Sequence, residues 1–258
     1  MNRSPGMKNL ATIVLLAASL LPASAADPGA DQLLKQMSVK LAASRSFSFE
    51  AIREIDVALR EGHDVPEKAK VSVAVQRPDK IAVKSVSHEG TRRFIADGKT
   101  LVLFDQKHNH YATVPMRASL DGLVEQLDEK YGFVPPLAEF ALSNPYKDLR
   151  SQATTLTYLG RAKTQAGLFG WFGEDCYRIL LKGKAADAEL WIPVSDDLPR
   201  RMTATFHREG GPQLRISFSK WNLAAPVGAG EFAFTPPKGS QQIEMWTTAK
   251  MQSAAKKR

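Results

Sequence analysis

The chain has 258 residues, 43% of them hydrophobic, and a formal net charge of +8. Its Lys and Arg are scattered rather than clustered, which argues against a nucleic-acid partner and leaves a weak attraction to an anionic membrane surface or an acidic protein. A single cysteine, Cys176, excludes an internal disulfide framework.

In chain order, the first segment reads as a cleavable secretory signal. Arg3 and Lys8 form a basic start, Leu10 to Leu21 is apolar and uncharged, and Ala23-Ser24-Ala25 is an A-x-A cleavage site. The apolar run is short for a membrane span. Ala26 follows the site instead of Cys, so no lipid anchor is expected. The sequence therefore predicts an exported, unlipidated, monomeric periplasmic protein with residues 1–25 removed. No later stretch is long and apolar enough to span a bilayer.

"PGADQLLKQMSVKLAASRS" places Leu33, Leu34, Met37 and Leu41 at helical spacing. "SFSFEAIREIDVALREG" changes to a period of two. Phe47, Phe49, Ala51, Ile55, Val57 and Leu59 share one face, which predicts a long half-buried strand. Arg53 breaks that face. Two readings stay open for it, a side chain snorkelling at the sheet rim and a functional cation. "AKVSVAVQRP" aligns Val71, Val73 and Val75 and ends at Pro78. Arg77 at that strand end is either a surface side chain or one directed at a cavity. "KIAVKSVSHEG" and "RRFIADGKTLVLFDQKHNHYATV" continue a meander, with turns at Asp97-Gly98 and Asp105–Asn109.

The pattern then turns helical. "SLDGLVEQLDEKYG" carries Leu120, Leu123, Val124, Leu127 and Tyr131 with Ser119 as N-cap. "PPLAEFALSNPYKDLRS" offers one or two short helices broken at Pro145. Strands return in "TTLTYLGRAK", "CYRILLKG", "AELWIPV", "RRMTATFHRE", "QLRISFSKWN" and "EFAFTPP". Cys176, in an alternating apolar run, reads as a small core residue. Strands segregated from helices predict an α+β fold, an antiparallel sheet with helices on one face. The predicted organisation is one domain over residues 26–245 with a helical insert at about 118–150, then a basic polar tail over 246–258.

No nucleophile elbow, phosphate loop, H-E-x-x-H or cysteine pair occurs. His108-Asn109-His110 lacks a third ligand and falls in a turn, so it reads as solvated rather than as a zinc site. The expectation is a protein that is not an enzyme, with no cofactor and no metal.

"QRPDK", then "ADGKTLVLFDQ" with "YATV", and late "FAFTPPKGSQQIE", resemble the LolA-type outer-membrane lipoprotein carriers in order and spacing. "LWIPVSDDLPRRMTATF" resembles a strand–turn–strand shared by LolA-, RseB- and LppX-type lipid-binding domains. The start "ADPGADQLLKQMS", the "DGKTL" strand, the Leu-rich middle helix and the W-N…F-x-F-x-P-P close are most similar to a group of predicted periplasmic proteins with a domain of unknown function. The resemblance implies a strongly curved open half-barrel whose concave face is covered by helices, enclosing an apolar cavity for acyl chains. Candidate cavity residues are Phe47, Phe49, Val57, Val73, Leu101, Leu103 and Leu123, with a closed hydrophobic core as the other reading. In the carriers the Arg of the R-P motif holds the lid shut; it matches Arg77. The carriers' aromatic residue four positions later is Ile81 here, and the C-terminal extension differs. The implied function is a carrier or chaperone for a lipid or an acylated protein. The alternative is an RseB-type envelope sensor or adaptor that binds a protein partner.

Overall fold

The computed structural model describes residues 28–164, 173–224 and 226–255. The expected signal sequence and its cleavage site lie outside the described residues. Ala30–Ala42 forms helix α1, burying Leu33, Leu34, Met37 and Leu41 as their spacing requires. A meander follows: β1 Ser46–Ile55, β2 Glu67–Gln76, β3 Lys80–Ser87, β4 Gly90–Asp97, β5 Thr100–Asp105 and β6 His110–Pro115. The helical insert holds α2 Leu120–Tyr131, a 3-10 turn Ala138–Ala141 and α3 Pro145–Gln152. A second meander comprises β7 Ala153–Lys163, β8 Asp175–Gly183, β9 Ala186–Pro193, β10 Arg201–Phe206 and β11 Gln213–Asn222.

All these strands belong to one curved, open sheet in the order β12-β6-β5-β4-β3-β2-β1-β11-β10-β9-β8-β7, where β12 is Gln241–Gln242. The two meanders meet where β1 pairs antiparallel with β11, Ala51 opposite Phe218. β6 and β7 therefore lie near opposite ends of the sheet, and the insert joining them crosses its concave face. Local chemistry sets the insert's boundaries. Ser119 Oγ accepts from Gly122 N–H at 3.3 Å at the start of α2, and Gly132 ends it with a left-handed φ of 60°. Pro145 opens α3, where its missing N–H costs nothing, behind the Asn144 cap.

Leu33, Met37, Phe47, Phe49, Val71, Val73, Val75, Leu120, Leu123, Leu127, Phe140 and Phe218 form one buried core between helices and sheet. Tyr146 ties α3 to α1, donating from its N–H to Ser38 Oγ at 2.9 Å and from its hydroxyl to Asp31 at 2.7 Å. Phe49 and Trp221 stack at 4.3 Å, and the Trp221 indole donates to the Pro199 carbonyl at 2.9 Å.

Two strand assignments made from alternation change. β1 ends at Ile55, because Asp56 turns the chain and accepts from Gln213 N–H at 2.8 Å. Val57 falls in a 3-10 turn and is 39% exposed, so it does not face the concave side. "EFAFTPP" is not a strand. Residues Ala229–Phe232 form a 3-10 turn, and the two prolines that follow bring no N–H to a ladder. The phenylalanines instead anchor the segment to the sheet's outer face, Phe234 lying 5.4 Å from Phe104 and 5.6 Å from Tyr111. The chain then rounds the β6 edge, where Gln241 N–H bonds Asn109 O and Ile243 N–H bonds Tyr111 O. The tail read as polar and basic forms α4, Thr248–Ala255, against the end of α2, with Thr248 Oγ1 donating to Lys130 O at 3.3 Å. Among the described residues no helix is long and apolar enough to cross a membrane.

These placements predict unequal costs for two truncations on the face read as continuous. Phe49→Ala should cost about 3–5 kcal/mol in urea unfolding, and Val57→Ala should stay within about 0.5 kcal/mol. Similar losses for both would contradict the end of β1 at Ile55.

Candidate functional site

Strand register arranges the concave side of β1–β6 in three rows. The first runs Phe47, Val75, Ile81, Ala96, Leu101, Val114. The second runs Phe49, Val73, Val83, Phe94, Leu103, Ala112. The third changes character, running Ala51, Val71, Ser85, Arg92, Asp105, His110. A two-residue step along each strand thus passes from an apolar to a polar surface.

A cavity of about 470 Å³ lies over the second and third rows between β3 and β6. Val83, Phe94, Leu103 and Ala112 supply its apolar floor. Phe133 and Pro136 of the insert, with Ile243 and Met245 of the C-terminal segment, supply its cover. Phe133 and Phe94 approach at 6.2 Å between ring centres. The volume falls in the range of about 300–1,000 Å³ common for small-molecule sites. A larger hollow of about 910 Å³ lies on the outer face, but its walls carry Glu50, Lys84, Arg93 and Lys220, and Glu50 is already paired with Lys70 and Lys220.

Of the residues expected to line a trough, Leu103 lines this cavity. Phe47, Phe49, Val73, Leu101 and Leu123 are buried in the core beneath the helices, and Val57 lies at the surface. Alternation alone missed Phe94, Ala112, Phe133 and Met245. Cross-strand register selects the first two; Phe133 and Met245 arrive from distant segments. Cys176 is fully buried, and desolvation pushes its thiol up to about 11, an inert core residue as its sequence context suggested.

Arg77 stands at a junction of the cover. Its Nη1 donates to Ala141 O at 2.7 Å, its Nε to Ser44 O at 3.2 Å, and its guanidinium lies 5.7 Å from the Phe47 ring. Leu120 N–H of α2 bonds Pro78 O at 2.8 Å, so the Arg77-Pro78 turn holds the end of α1, the start of α2 and the 3-10 turn together. Burial lowers the Arg77 pKa from its ordinary value, opposed by the charge of Asp121. Asp121 in turn accepts from Ser143 Oγ at 2.9 Å, fixing the insert to itself.

Two residues before Ala141, Glu139 keeps some solvent contact, but dense packing desolvates its carboxyl and pushes it up to about 7, with Asp148 adding a smaller repulsion. Between its ordinary value of 4.5 and about 7, the unfolded chain releases this proton while the folded chain keeps it. Stability from this group therefore falls as pH rises across that window. Glu139→Gln should flatten this decline in denaturation profiles recorded across the window; parallel profiles for variant and wild type would contradict the assignment.

The profile of a family described as "Predicted periplasmic protein (DUF2092)" matches residues 30–246. Among solved structures, an uncharacterized conserved protein from Thermus thermophilus is similar at 12% identity and a TM-score of 0.48, over 83% of this chain and 98% of that one. MucB in the Pseudomonas aeruginosa MucA/MucB complex is similar at 15% identity and a TM-score of 0.43, over 80% of this chain and 61% of that one. A LolA superfamily protein from Nitrosomonas europaea is similar at 13% identity and a TM-score of 0.39, over 81% of this chain and 99% of that one. No curated protein matches in sequence. The family match takes in α1, both meanders and the insert that roofs the cavity, and the chain belongs to the DUF2092 family of predicted periplasmic proteins.

Proposed function

We propose that the protein shelters an acyl chain, or a ligand of similar apolar shape, in the concave-face cavity, and carries it between membranes without performing chemistry on it. The observation that supports this is the cavity of about 470 Å³ with its floor of Val83, Phe94, Leu103 and Ala112. Enclosing about fourteen methylenes is worth roughly 11 kcal/mol at about 0.8 kcal/mol per CH₂. A bilayer offers the same chain a comparable gain. Transfer between the two is therefore near balance, and contacts of a few kcal/mol in the cover decide its direction.

Arg77 has the position and strength for such a contact. A hydrogen bond from a charged donor contributes about 1.5–3 kcal/mol, and the Arg77 bond to Ala141 O joins the sheet to the insert. In this reading Arg77 is the latch: its bond favours the closed, emptied cavity, so that closure of the insert at an acceptor helps expel the ligand. The second reading, an adaptor that docks a protein partner, draws on the charged outer hollow of about 910 Å³ beneath the C-terminal segment.

Native mass spectrometry of protein taken gently from the periplasm tests the proposal. Co-purified acyl lipid that passes to acceptor vesicles supports the carrier; a lipid-free chain that captures no fluorescent acyl probe sinks it and leaves the adaptor. Ala112→Trp fills the floor of the cavity and should weaken probe binding at least about tenfold while the sheet's circular dichroism persists. Arg77→Leu should leave probe uptake intact and slow release to vesicles; unchanged release removes Arg77 from the mechanism.

A further inference from the structure

Arg53 interrupts the apolar face of β1, and its environment gives the cavity a chemical direction. It shares the concave side with Phe47, Phe49 and Ala51, and its side chain lines the same cavity as Phe94 and Leu103. Its Nη2 lies 2.9 Å from Glu67 Oε2, with side chains only 14% and 7% exposed. The Arg53 Nε is buried and has no hydrogen-bond partner among the described residues. A buried donor left without an acceptor is unfavourable, and a group that supplies one recovers that loss. Arg77 also keeps a buried, unpartnered Nη2, but it lies under the insert and spends its other donors on the Ser44 and Ala141 carbonyls, whereas Arg53 lines the cavity.

The third row extends this polarity. Arg92, opposite Ser85 and Asp105, is 57% exposed and holds Glu89 at 3.3 Å and Asp105 at 3.8 Å, the second beyond hydrogen-bond length. One wall of the cavity is therefore aliphatic and aromatic, and the next presents two incompletely engaged guanidinium groups. Cavities of this kind suit a molecule with one apolar and one anionic end, because charge-assisted bonds from Arg to an anionic oxygen are short and strong.

We propose that the ligand is a single-chain amphiphile with an anionic head group, its tail on the Val83–Phe94–Leu103–Ala112 row and a head-group oxygen accepting from Arg53 Nε, with Arg92 at the rim. This rests on the acyl-sheltering reading and adds the head group and the direction of entry. A carboxylate and a phosphate offer the same anionic oxygen, and the measurement separates them.

Purified, delipidated protein is titrated with hexadecanoic acid, hexadecyl phosphate and hexadecanol. At least one anion should bind about ten- to a hundredfold tighter than the alcohol. Whether acid or phosphate binds more tightly identifies the head group. The double variant Arg53→Gln with Glu67→Gln keeps a neutral hydrogen-bonding pair; its preference for the anion over hexadecanol should fall within about threefold, and circular dichroism reports that it is folded. Equal affinity of the wild-type chain for acid, phosphate and alcohol overturns the head-group assignment and leaves the apolar cavity standing, whether or not the variant folds. A full preference retained by a folded double variant removes Arg53 from the site. Failure of all three compounds to bind overturns the acyl-sheltering reading and this inference with it.

Discussion

One topological constraint organises the molecule. The two meanders are joined side by side through β1 and β11, which sends the ends of the helical insert to strands near opposite ends of the sheet. A connection between those strands has to cross a face, and the apolar alternation of β1–β5 makes the concave face the one it crosses. The insert is therefore not an appendage to the sheet. Without it, Phe47, Val73, Val75, Ile81 and Leu101 would lie open to water, at a cost of roughly 1.5–3 kcal/mol for each large side chain.

The cover is uneven, and that unevenness separates core from cavity. Over the middle strands the 3-10 turn brings Phe140 to 4.9 Å from Phe218, and Leu33, Met37 and Leu127 of the helices join Phe47 and Phe49 in the same buried core. Over β3–β6 the cover thins to the irregular stretch after Gly132 and to the C-terminal segment that has come round the β6 edge. Segments of this kind have few buried apolar contacts, and they open at lower cost than the helices beside them. The C-terminal segment is thus held on both sides of the sheet, by Phe234 on the outer face and by Met245 on the inner one. A movement that lifts Met245 from the cavity is resisted at the edge by the two backbone bonds from Gln241 and Ile243.

Much of the fold was legible because alternation and helical periodicity are local properties. The meander, the amphipathic stripe of α2 and the Ser119 cap could be read from adjacent residues. What escaped depends on contacts between distant segments. Val57 continues the alternation of β1 in sequence, yet Asp56 bonds Gln213 some 157 positions away and turns the chain first. Phe232 and Phe234 have strand spacing, but the prolines after them deny the ladder its donors, and the rings serve as anchors. Nor could alternation say which inward residues would be covered tightly. Leu101 and Leu103 have equal claims on sequence; the first lies beneath helices and the second beneath a loop. Arg53 and Arg77 were visible as exceptions to pattern, while their partners were not.

Those two arginines show how alike local chemistry takes on unlike roles through what lies above it. Arg53 sits on β1 and Arg77 in the turn after β2, and each has a buried nitrogen without a partner among the described residues, Nε in Arg53 and Nη2 in Arg77. Arg77 lies under the insert and spends its other donors on carbonyls of two covering segments. Displacing the insert would expose the guanidinium to water, which satisfies the lost bonds and the idle nitrogen together, so the cost of opening is smaller than the sum of the bonds broken. Arg53 lies where the cover is thin, and its charge partner is another strand residue, Glu67. Movement of the insert leaves that pair intact, and on the proposed reading its idle Nε is left for a head group in the cavity. On the reading proposed here, Arg77 responds to the state of the cover and Arg53 to the contents beneath it. The two are separable because Arg77 is pinned to the helical insert and Arg53 is pinned to the sheet.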